Sequence, residues 1–493
     1  MISNFLKLVK KQQMLFFYFV IFFAIILRIV VIFKYGNFWS DEMFSVTYSQ
    51  KPWVDTFRFW LWETNPPLHM LILKIWFYIF PITEFFARLP SLLLNIASIY
   101  FLYIFARDLF GKRIGIISAT IFSLNFYSIF ISATARTYSL FVFLIIINVY
   151  YFYKLFIDNN ASRREKIIYG ISTFLLLFTH LTAILTIISQ FVILVVLNKK
   201  AIKDYIKINF VPLLIWLIWV IPSLYIKFLK PSFGSSWFFQ TNDGWRNIAT
   251  VFHLMLGGSS KTILEIPLII LFFSTVIFLL TREKHKKEKA FIIILILFII
   301  PIINSTMIGL WNMKFLIPAF PWIIILLTYI LNNYLKSELF IFVIITILML
   351  SGLSGIKNIL PLEDWKTVDS FIKINNNLDK KRALIFSQFS DRTLIQKYIK
   401  DIAIIPYCPN CQESDWDQKV ITENYLRYQH ADSEISDWIK NTNIGQYDEI
   451  YLLTNDDQGI NLKQALEKTG WKKRAIVNPK LIEYKELIEY VRN

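Results

Sequence analysis

The sequence predicts a polytopic α-helical membrane protein that carries a small α/β domain at its C-terminal end. Three observations predict this fold class. Hydrophobic residues make up 56% of the 493 residues and charged residues only 18%, against about 45–50% and about 25% in soluble proteins. The excess of basic residues is confined to the apolar part of the chain: residues 1–356 carry a net charge of +18 and residues 357–493 a net charge of −1. Basic residues placed between apolar segments exclude nucleic acid as a partner.

Apolar runs that could cross a bilayer, which takes about 20 residues, recur through the first part of the chain. Eleven candidate spans lie at 14–34, 88–106, 114–132, 138–156, 167–181, 182–198, 208–226, 263–281, 290–308, 315–334 and 338–355. The pair around His180 is ambiguous, because almost no polar loop separates its two members. Another run, His69–Phe80, is too short to span and is expected to form an interfacial helix on the outer surface.

The distribution of Lys and Arg predicts the orientation, because these residues resist transfer across the membrane. With 69–80 left on the outer side, about twenty basic residues fall in the cytoplasmic segments and about eight in the outer loops. The N-terminus is then cytoplasmic, and an odd number of spans places residues 357–493 outside. No small-residue cleavage site follows the first run, so we expect a retained span in the plasma membrane.

Two domains follow from this pattern: a transmembrane catalytic module at 1–356, with its first outer loop at 35–87, and an extracytoplasmic domain at 357–493. In the second domain, short β-branched runs alternate with segments of helical spacing, which predicts a compact α/β lobe. The predicted strands are Ala383–Ser387, Ile402–Pro406, Glu449–Leu453 and Arg474–Val477, and the predicted helices are Thr393–Lys400, Glu434–Lys440 and Leu462–Lys468.

The two cysteines, Cys408 and Cys411, are too few for a disulfide-built scaffold. Their C-x-x-C spacing is compatible with a redox pair, a zinc site or a local disulfide. One pair without a second pair is a weak zinc signal, and an outer location favours the disulfide.

The first outer loop holds four carboxylates, Asp41, Glu42, Asp55 and Glu63, among many Trp and Phe residues that belong at a membrane interface. A carboxylate held against apolar surface is desolvated and binds protons more avidly, which makes a usable general base. Alternatively, Asp41 and Glu42 only cap the next helix, since Ser40-Asp41 followed by apolar residues fits an N-cap.

Several basic groups are predicted at the same outer boundary. Arg136 and Tyr138 lie where one span exits and the next enters, and the others are His69, Lys74, His180 and Lys314. Ionisable residues near the membrane are costly and are functional candidates by default. Singly, Arg136 and Lys314 could reach lipid headgroups, and His180 could be a satisfied core histidine.

Together, these groups suggest a cavity that binds an anion through Arg and Lys and takes a proton on a carboxylate. A phosphate carried on a lipid would fit such a cavity, with its tail left in the bilayer. The chain has neither G-x-G-x-x-G nor a Walker sequence for a soluble nucleotide. We expect the acidic stretch to lie beside Arg136 and Lys314.

The order of the motifs resembles the GT-C glycosyltransferases of the dolichyl-phosphomannose–protein mannosyltransferase type, which are related to the lipid A aminoarabinose transferase. The resemblance covers roughly residues 14–335. The motifs are Asp41-Glu42, Asn65-Pro66-Pro67-Leu68-His69, Arg88-Leu89-Pro90-Ser91, Arg107-Asp108-Leu109-Phe110-Gly111, Ala135-Arg136-Thr137-Tyr138 and Lys314-Phe315-Leu316-Ile317-Pro318.

The resemblance implies transfer of a hexose or pentose from a polyprenyl phosphate on the outer face, with inversion, to a hydroxyl of a glycan, lipid or protein. Asp41 matches the family's base, and Glu42 would orient the acceptor or share the proton. Arg136 and Lys314 match basic positions near the donor phosphate. The expected substrate site also contains Glu63, Asn65, His69, Tyr138 and His180.

No cofactor is expected. Oligosaccharyltransferases of this superfamily need a divalent ion, but their tryptophan-tryptophan-aspartate signature is absent here, so we predict no metal. A transporter or flippase for a lipid-linked or anionic substrate is the main alternative, although no internal symmetry is visible. A scaffold whose C-terminal segment binds a partner is a further one.

Overall fold

The computed structural model describes most of the chain. The described residues are 13–62, 66–228, 251–252, 254–255, 289–308, 312–334, 343, 346–347, 350, 353–356, 363–374, 380–386, 392–407, 432–454, 460–477 and 486–492. They form two compact units, the first from parts of Met1–Lys34, Glu63–Leu224 and Thr241–Ile359. The second unit comes from parts of Tyr35–Trp62, Tyr225–Gln240 and Leu360–Asn493.

The division differs from the expected domains in one respect. The sequence pattern predicts that the whole first outer loop belongs to the membrane module, whereas Tyr35–Trp62 lies in the second unit. The physical reason is a set of hydrogen bonds between this segment and residues beyond 360, described below.

The described secondary structure is mostly helical. The helices are α1 (Gln13–Tyr35), α2 (Ser40–Gln50), α3 (Trp53–Trp62), α4 (Leu68–Trp76), α5 (Glu84–Phe110), α6 (Lys112–Leu124), α7 (Phe126–Ser132), α8 (Tyr138–Phe156), α9 (Arg163–Leu177), α10 (Ala183–Leu197), α11 (Ile202–Phe228), α12 (Lys289–Ile308), α13 (Met313–Leu316), α14 (Phe320–Tyr334), α15 (Trp365–Ile374), α16 (Arg392–Tyr398), α17 (Asp432–Asn441) and α18 (Ile460–Lys468).

The first unit has the helices of a polytopic membrane protein. Within the described ranges, six helices are long and apolar enough to cross a membrane, and the pair α6–α7, bent by 61°, would be a seventh. By length and apolar character, described helices therefore match six of the eleven expected spans, or seven if the bent pair is one span. The helices α9 and α10 have 15 residues each, fewer than the roughly 20 that a span needs. The runs 263–281 and 338–355 lie wholly or mostly outside the described residues. The short run after Pro67 forms the nine-residue helix α4.

A buried arginine holds the bend between α6 and α7. Arg28 of α1 is fully buried, and its Nη1 donates to the backbone carbonyl of Ser123 at 2.7 Å. Its Nε donates to Asn95 Oδ1 at 2.9 Å and its Nη2 to Ser128 Oγ at 3.1 Å. The side chain of Asn125 accepts from the backbone N–H of Ser128 and so caps α7. Arg28 thereby satisfies a carbonyl that the bend leaves without a helical partner.

The second unit contains a five-stranded sheet. Its strands are β1 (Arg382–Phe386), β2 (Ala403–Pro406), β3 (Glu449–Thr454), β4 (Lys472–Val477) and β5 (Glu486–Val491), in the order β2-β1-β3-β5-β4. The first three pair in parallel, and β5 pairs antiparallel with both β3 and β4. Helices follow β1, β2 and β3 in sequence, which supplies the crossovers that parallel strands need. The predicted α/β lobe is confirmed, and β5 and α15 are additions to it.

A polar cluster lies on β3 and β5. Glu449 is buried, and its Oε1 lies 2.6 Å from Lys380 Nζ and 3.6 Å from Arg474 Nη1. Glu489 is also buried and lies 3.3 Å from the same atom of Arg474. Burial is the largest influence on Glu489 and raises the pKa of its carboxyl group, and the nearby Glu449 adds to this increase.

Candidate functional site

The turn that carries Arg136 joins α7 to α8 and is anchored on both sides. Arg136 is buried, and its backbone carbonyl accepts a hydrogen bond from Ser91 Oγ at 3.4 Å. The next residue, Thr137, donates from Oγ1 to the carbonyl of Thr179 at 3.0 Å. These two hydrogen bonds therefore hold the backbone that carries the Arg136 guanidinium group against α5 and the turn after α9.

His180 lies in that turn, between α9 and α10. Its Nδ1 is 2.9 Å from Thr182 Oγ1 and accepts from the backbone N–H of Thr182 at 3.3 Å. Because Nδ1 is an acceptor, the neutral ring carries its proton on Nε2. The imidazole stacks on Phe141, and the ring of Phe315, next to Lys314, has its centroid 6.5 Å away. The ring is thus held in one orientation.

His69 lies in the first turn of α4, and this helix begins directly after the Pro66-Pro67 pair. The backbone N–H of Leu68 donates to the carbonyl of Phe178 at 3.0 Å, which ties the start of α4 to the segment before His180. The imidazole is buried, and within the part of the chain that the structure describes its Nε2 has no hydrogen-bond partner.

Electrostatics shows that four of the expected residues come together in the first unit. Burial lowers the pKa of His69 to about 3, and the positive charge of Arg136 lowers it further. Burial likewise lowers the pKa of His180 to about 3, with Arg136 and then Lys314 as additional causes. Both rings are therefore neutral at physiological pH. We call His69, Arg136, His180 and Lys314 the cationic cluster.

Lys314 is the fourth member of this cluster, and Tyr138 follows Arg136 closely in sequence. Lys314 is half-buried in α13, where the side chain of Asn312 accepts from its backbone N–H at 3.0 Å. Tyr138 is buried in the first turn of α8, two residues after Arg136. Two cations beside two neutral rings form a surface that attracts an anion and offers it hydrogen bonds.

Asp41 and Glu42 belong to the second unit, in the first turn of α2. Glu42 is fully buried, and Asp41 is partly exposed. The expectation that Ser40-Asp41 forms the N-cap of this helix is wrong: the N-cap is Trp39, and the Trp39 side chain makes no capping hydrogen bond. Carboxylates in a first turn still interact favourably with the helix dipole.

Other expectations fall on residues that the structure does not describe. Glu63, Asn65, Cys408 and Cys411 lie outside the described residues. Among the described ones, there is no group of three or more His, Cys, Asp or Glu side chains that could hold a metal ion.

Sequence reasoning missed the residues that orient the cluster, namely Ser91, Phe141 and Thr182. Ser91 was part of a motif that the sequence analysis noted, but nothing in a single sequence connects it with the Arg136 turn. Phe141 lies in an apolar run and Thr182 beside His180, where neither has a distinctive pattern. Only the packing of α5, α8 and the turn after α9 reveals their role.

Comparison with known proteins finds a family match over part of the chain and several structures of similar fold. Residues 64–226 match the family described as dolichyl-phosphate-mannose-protein mannosyltransferase. No curated protein sequence matches the chain. The structure is similar to ArnT from Cupriavidus metallidurans bound to undecaprenyl phosphate, at 13% identity and a TM-score of 0.56, covering 96% of this chain and 97% of ArnT. It is also similar to the archaeal oligosaccharyltransferase AglB from Archaeoglobus fulgidus, in complex with an inhibitory peptide and a dolichol-phosphate. That match has 11% identity and a TM-score of 0.51, and it covers 98% of this chain and 75% of AglB.

Part of the chain, residues 64–226, thus resembles the mannosyltransferase family, and the chain as a whole shares its fold with ArnT and AglB. At identities this low, the likeness to ArnT and AglB is a likeness of fold. The segment that matches the mannosyltransferase family extends from just before α4 into α11 and contains three members of the cationic cluster, His69, Arg136 and His180.

Proposed function

We propose that this protein transfers a sugar from a polyprenyl-phosphate-linked donor to an acceptor hydroxyl at the outer face of the membrane. The observation that carries the proposal is the cationic cluster, in which Arg136 lies close enough to two buried histidines to lower their pKa and Lys314 lies close enough to lower that of His180. A positive field at a site with two buried, neutral imidazole rings suits an anionic group brought by a substrate.

The donor phosphate is assigned to this cluster. Arg136 offers a planar pair of donors that matches phosphate oxygens, and Lys314 adds a point charge. The Nε2–H of His180 adds a neutral donor, and the Nε2 of His69, which has no hydrogen-bond partner among the described residues, lies in the same region. ArnT was solved with undecaprenyl phosphate and AglB with a dolichol-phosphate, which supports a polyprenyl phosphate as the anion.

The reaction that we assign is a single displacement with inversion. Asp41 takes the proton of the acceptor hydroxyl, and the oxygen of that hydroxyl attacks the anomeric carbon of the sugar. The bond from that carbon to the phosphate oxygen breaks, and its electron pair leaves with the lipid phosphate. Arg136 and Lys314 stabilise the growing charge, a contribution typically of about 3–4 kcal/mol for one well-placed donor. Glu42 orients the acceptor or shares its proton.

The orientation remains part of the proposal. The excess of Lys and Arg in the segments assigned to the cytoplasm supports a cytoplasmic N-terminus and an extracytoplasmic C-terminal segment. Sugar transfer would then occur outside the cell, where a lipid-linked donor supplies the energy that cytoplasmic nucleotides cannot.

The test compares variants of the purified protein in liposomes. The donors are undecaprenyl phosphates carrying a hexose, a pentose or an amino sugar, isolated cell envelope serves as the acceptor, and mass spectrometry measures the free undecaprenyl phosphate. Asp41→Asn should abolish release but keep the rise in Tm that undecaprenyl phosphate causes, whereas Arg136→Gln should lose both. The exposed Asp55→Asn in the same segment is the matched control.

Two outcomes would refute the proposal. Full release by Asp41→Asn would remove this residue from the chemistry. Movement of the donor across the bilayer without sugar release, for every sugar in the panel, would favour the transporter alternative.

A further inference from the structure

The chain segment that leads into α2 is bound to residues more than three hundred positions later. With its amide oxygen facing α15, Asn37 accepts from the backbone N–H groups of Trp365 and Lys366 at 3.1 Å each, which caps that helix from a distant part of the sequence. The backbone N–H of Phe38 donates to Tyr398 Oη at 2.8 Å. All of these residues belong to the second unit.

A third connection reaches α2 itself. The hydroxyl of Ser40, the first residue of α2, donates to Glu363 Oε1 at 2.8 Å. The other carboxylate oxygen, Oε2, accepts from Trp365 Nε1 at 2.8 Å. Glu363 and Trp365 are both buried. The Glu363 carboxylate thus accepts one hydrogen bond from the indole of Trp365 and another from the hydroxyl of Ser40. Each of its oxygens has a defined donor.

These bonds fix the conformation of α2 at its N-terminal end. Asn37, Phe38 and Ser40 are consecutive or nearly so, and Asp41 follows at once. Because a helix moves as a rod, fixing the residues just before its first turn fixes the direction of the side chains in that turn. A hydrogen bond to a buried carboxylate is also stronger than one between neutral groups.

We propose that Glu363 is a positioning residue, which orients Asp41 through Ser40, and that the C-terminal segment serves the reaction by holding α2. This inference rests on the proposed function for the role of Asp41. Glu363 itself takes no proton and touches no substrate in this scheme. Its contribution is to keep the base within the narrow range of geometry that proton transfer requires.

The experiment uses two substitutions of Glu363 in the full chain. Glu363→Ala removes both hydrogen bonds. Glu363→Gln keeps both, because the amide oxygen can accept from Trp365 Nε1 and the amide nitrogen can donate to Ser40 Oγ. Lys373→Ala is the matched control, since Lys373 lies on α15 but is exposed and pairs only with Asp369 among the described residues.

Two measurements separate positioning from general damage. Glu363→Ala should lower kcat about 10- to 100-fold while the KM for the donor and the Tm rise caused by undecaprenyl phosphate stay unchanged. Hydrogen–deuterium exchange in residues 40–50 should become at least about tenfold faster, with exchange in α5 and α8 unaltered. Glu363→Gln should restore both properties to near the wild-type values, and Lys373→Ala should change neither.

Unchanged exchange in residues 40–50 of Glu363→Ala would overturn the proposal, as would a loss of kcat in Glu363→Gln equal to that in Glu363→Ala. If Glu363→Ala does not fold, Ser40→Ala decides, because it deletes only the hydroxyl that Glu363 holds and should show the same loss of kcat and faster exchange. The proposed function fails separately, if Asp41→Asn keeps transfer, and the exchange measurement then still decides whether Glu363 anchors α2.

Discussion

The imidazole of His180 stacks on the ring of Phe141, with the two centroids 5.1 Å apart and the planes 18° apart. Phe141 is fully buried and lies one turn after the Arg136 turn, so it shields one face of the imidazole from water. A ring that is covered in this way and also faces cations cannot easily hold a proton. The stacking therefore links the burial of His180 to its neutral state.

Lys314→Gln should raise the pKa of His180 and leave that of His69 unchanged. Lys314 lowers the pKa of His180, whereas Arg136 is the charge that lowers the pKa of His69. Removing a positive charge favours the protonated imidazole, so the pKa must rise. The measurement is an NMR titration of protein with labelled histidine, and Lys154→Gln at the far end of α8 is the control. Equal shifts at both histidines would contradict this arrangement.

Acidification should destabilise the protein between about pH 6.5 and about pH 3. Both histidines have a folded pKa of about 3, against 6.5 for the ordinary side chain. In this window the unfolded chain binds more protons than the folded one, so the free energy of unfolding falls as the pH falls. The loss should be on the order of 2 kcal/mol per histidine at pH 5.

The check is denaturant unfolding in detergent as a function of pH. The double substitution His69→Gln with His180→Gln should flatten the dependence between pH 5 and pH 6.5 relative to the wild type. The same slope in both proteins would mean that other groups cause the acid sensitivity.

Arg28→Met should lower the free energy of unfolding by about 2–5 kcal/mol. Methionine keeps the unbranched apolar stem of the side chain but removes the donor to the carbonyl of Ser123 and leaves Asn95 Oδ1 with only the hydroxyl of Ser128. Arg107→Met is the control, because Arg107 is largely exposed and pairs with the neighbouring Asp108. A loss in Arg28→Met no larger than in the control would mean that the bend between α6 and α7 does not depend on this arginine.

Glu489→Gln should raise the Tm by a few degrees at pH 7. Burial and the charge of Glu449 raise the pKa of Glu489 above its ordinary value of 4.5, so ionisation costs more in the folded state than in the unfolded chain. Stability therefore falls as the pH rises through this range, and a neutral amide avoids that loss. The advantage over wild type should shrink below pH 4.5. A lower Tm at pH 7 would show that the bond to Arg474 outweighs the cost.

The sequence predicted the features that depend on local pattern. Strands β1 to β4 follow short β-branched runs and were found close to the expected positions. β5 was missed because Glu486–Val491 contains two Glu residues and two pairs of adjacent apolar residues, a pattern without strict alternation. Its strand conformation comes from pairing with β3 and β4, which tertiary contacts alone provide.

The candidate site was predictable to a similar extent. Arg136, His180 and Lys314 could be grouped because each is an ionisable residue at the predicted outer end of an apolar run. Ser40-Asp41 was expected to form the N-cap of α2. Instead, Ser40 bonds to Glu363, and no local rule relates two residues so far apart in sequence. Sequence patterns therefore identified chemical groups but not the residues that hold them.

The bonds from Asn37, Phe38 and Ser40 to residues 363–398 also set an order of events during synthesis. The ribosome must add more than three hundred residues after Ser40 before Glu363 exists, which takes roughly 15 to 65 seconds at ordinary elongation rates. Throughout this time, the membrane helices can insert while α2 lacks its anchor. A chain cut short by a stop codon before Glu363 would keep the whole cationic cluster, but its α2 would lack every one of these hydrogen bonds to residues 363–398.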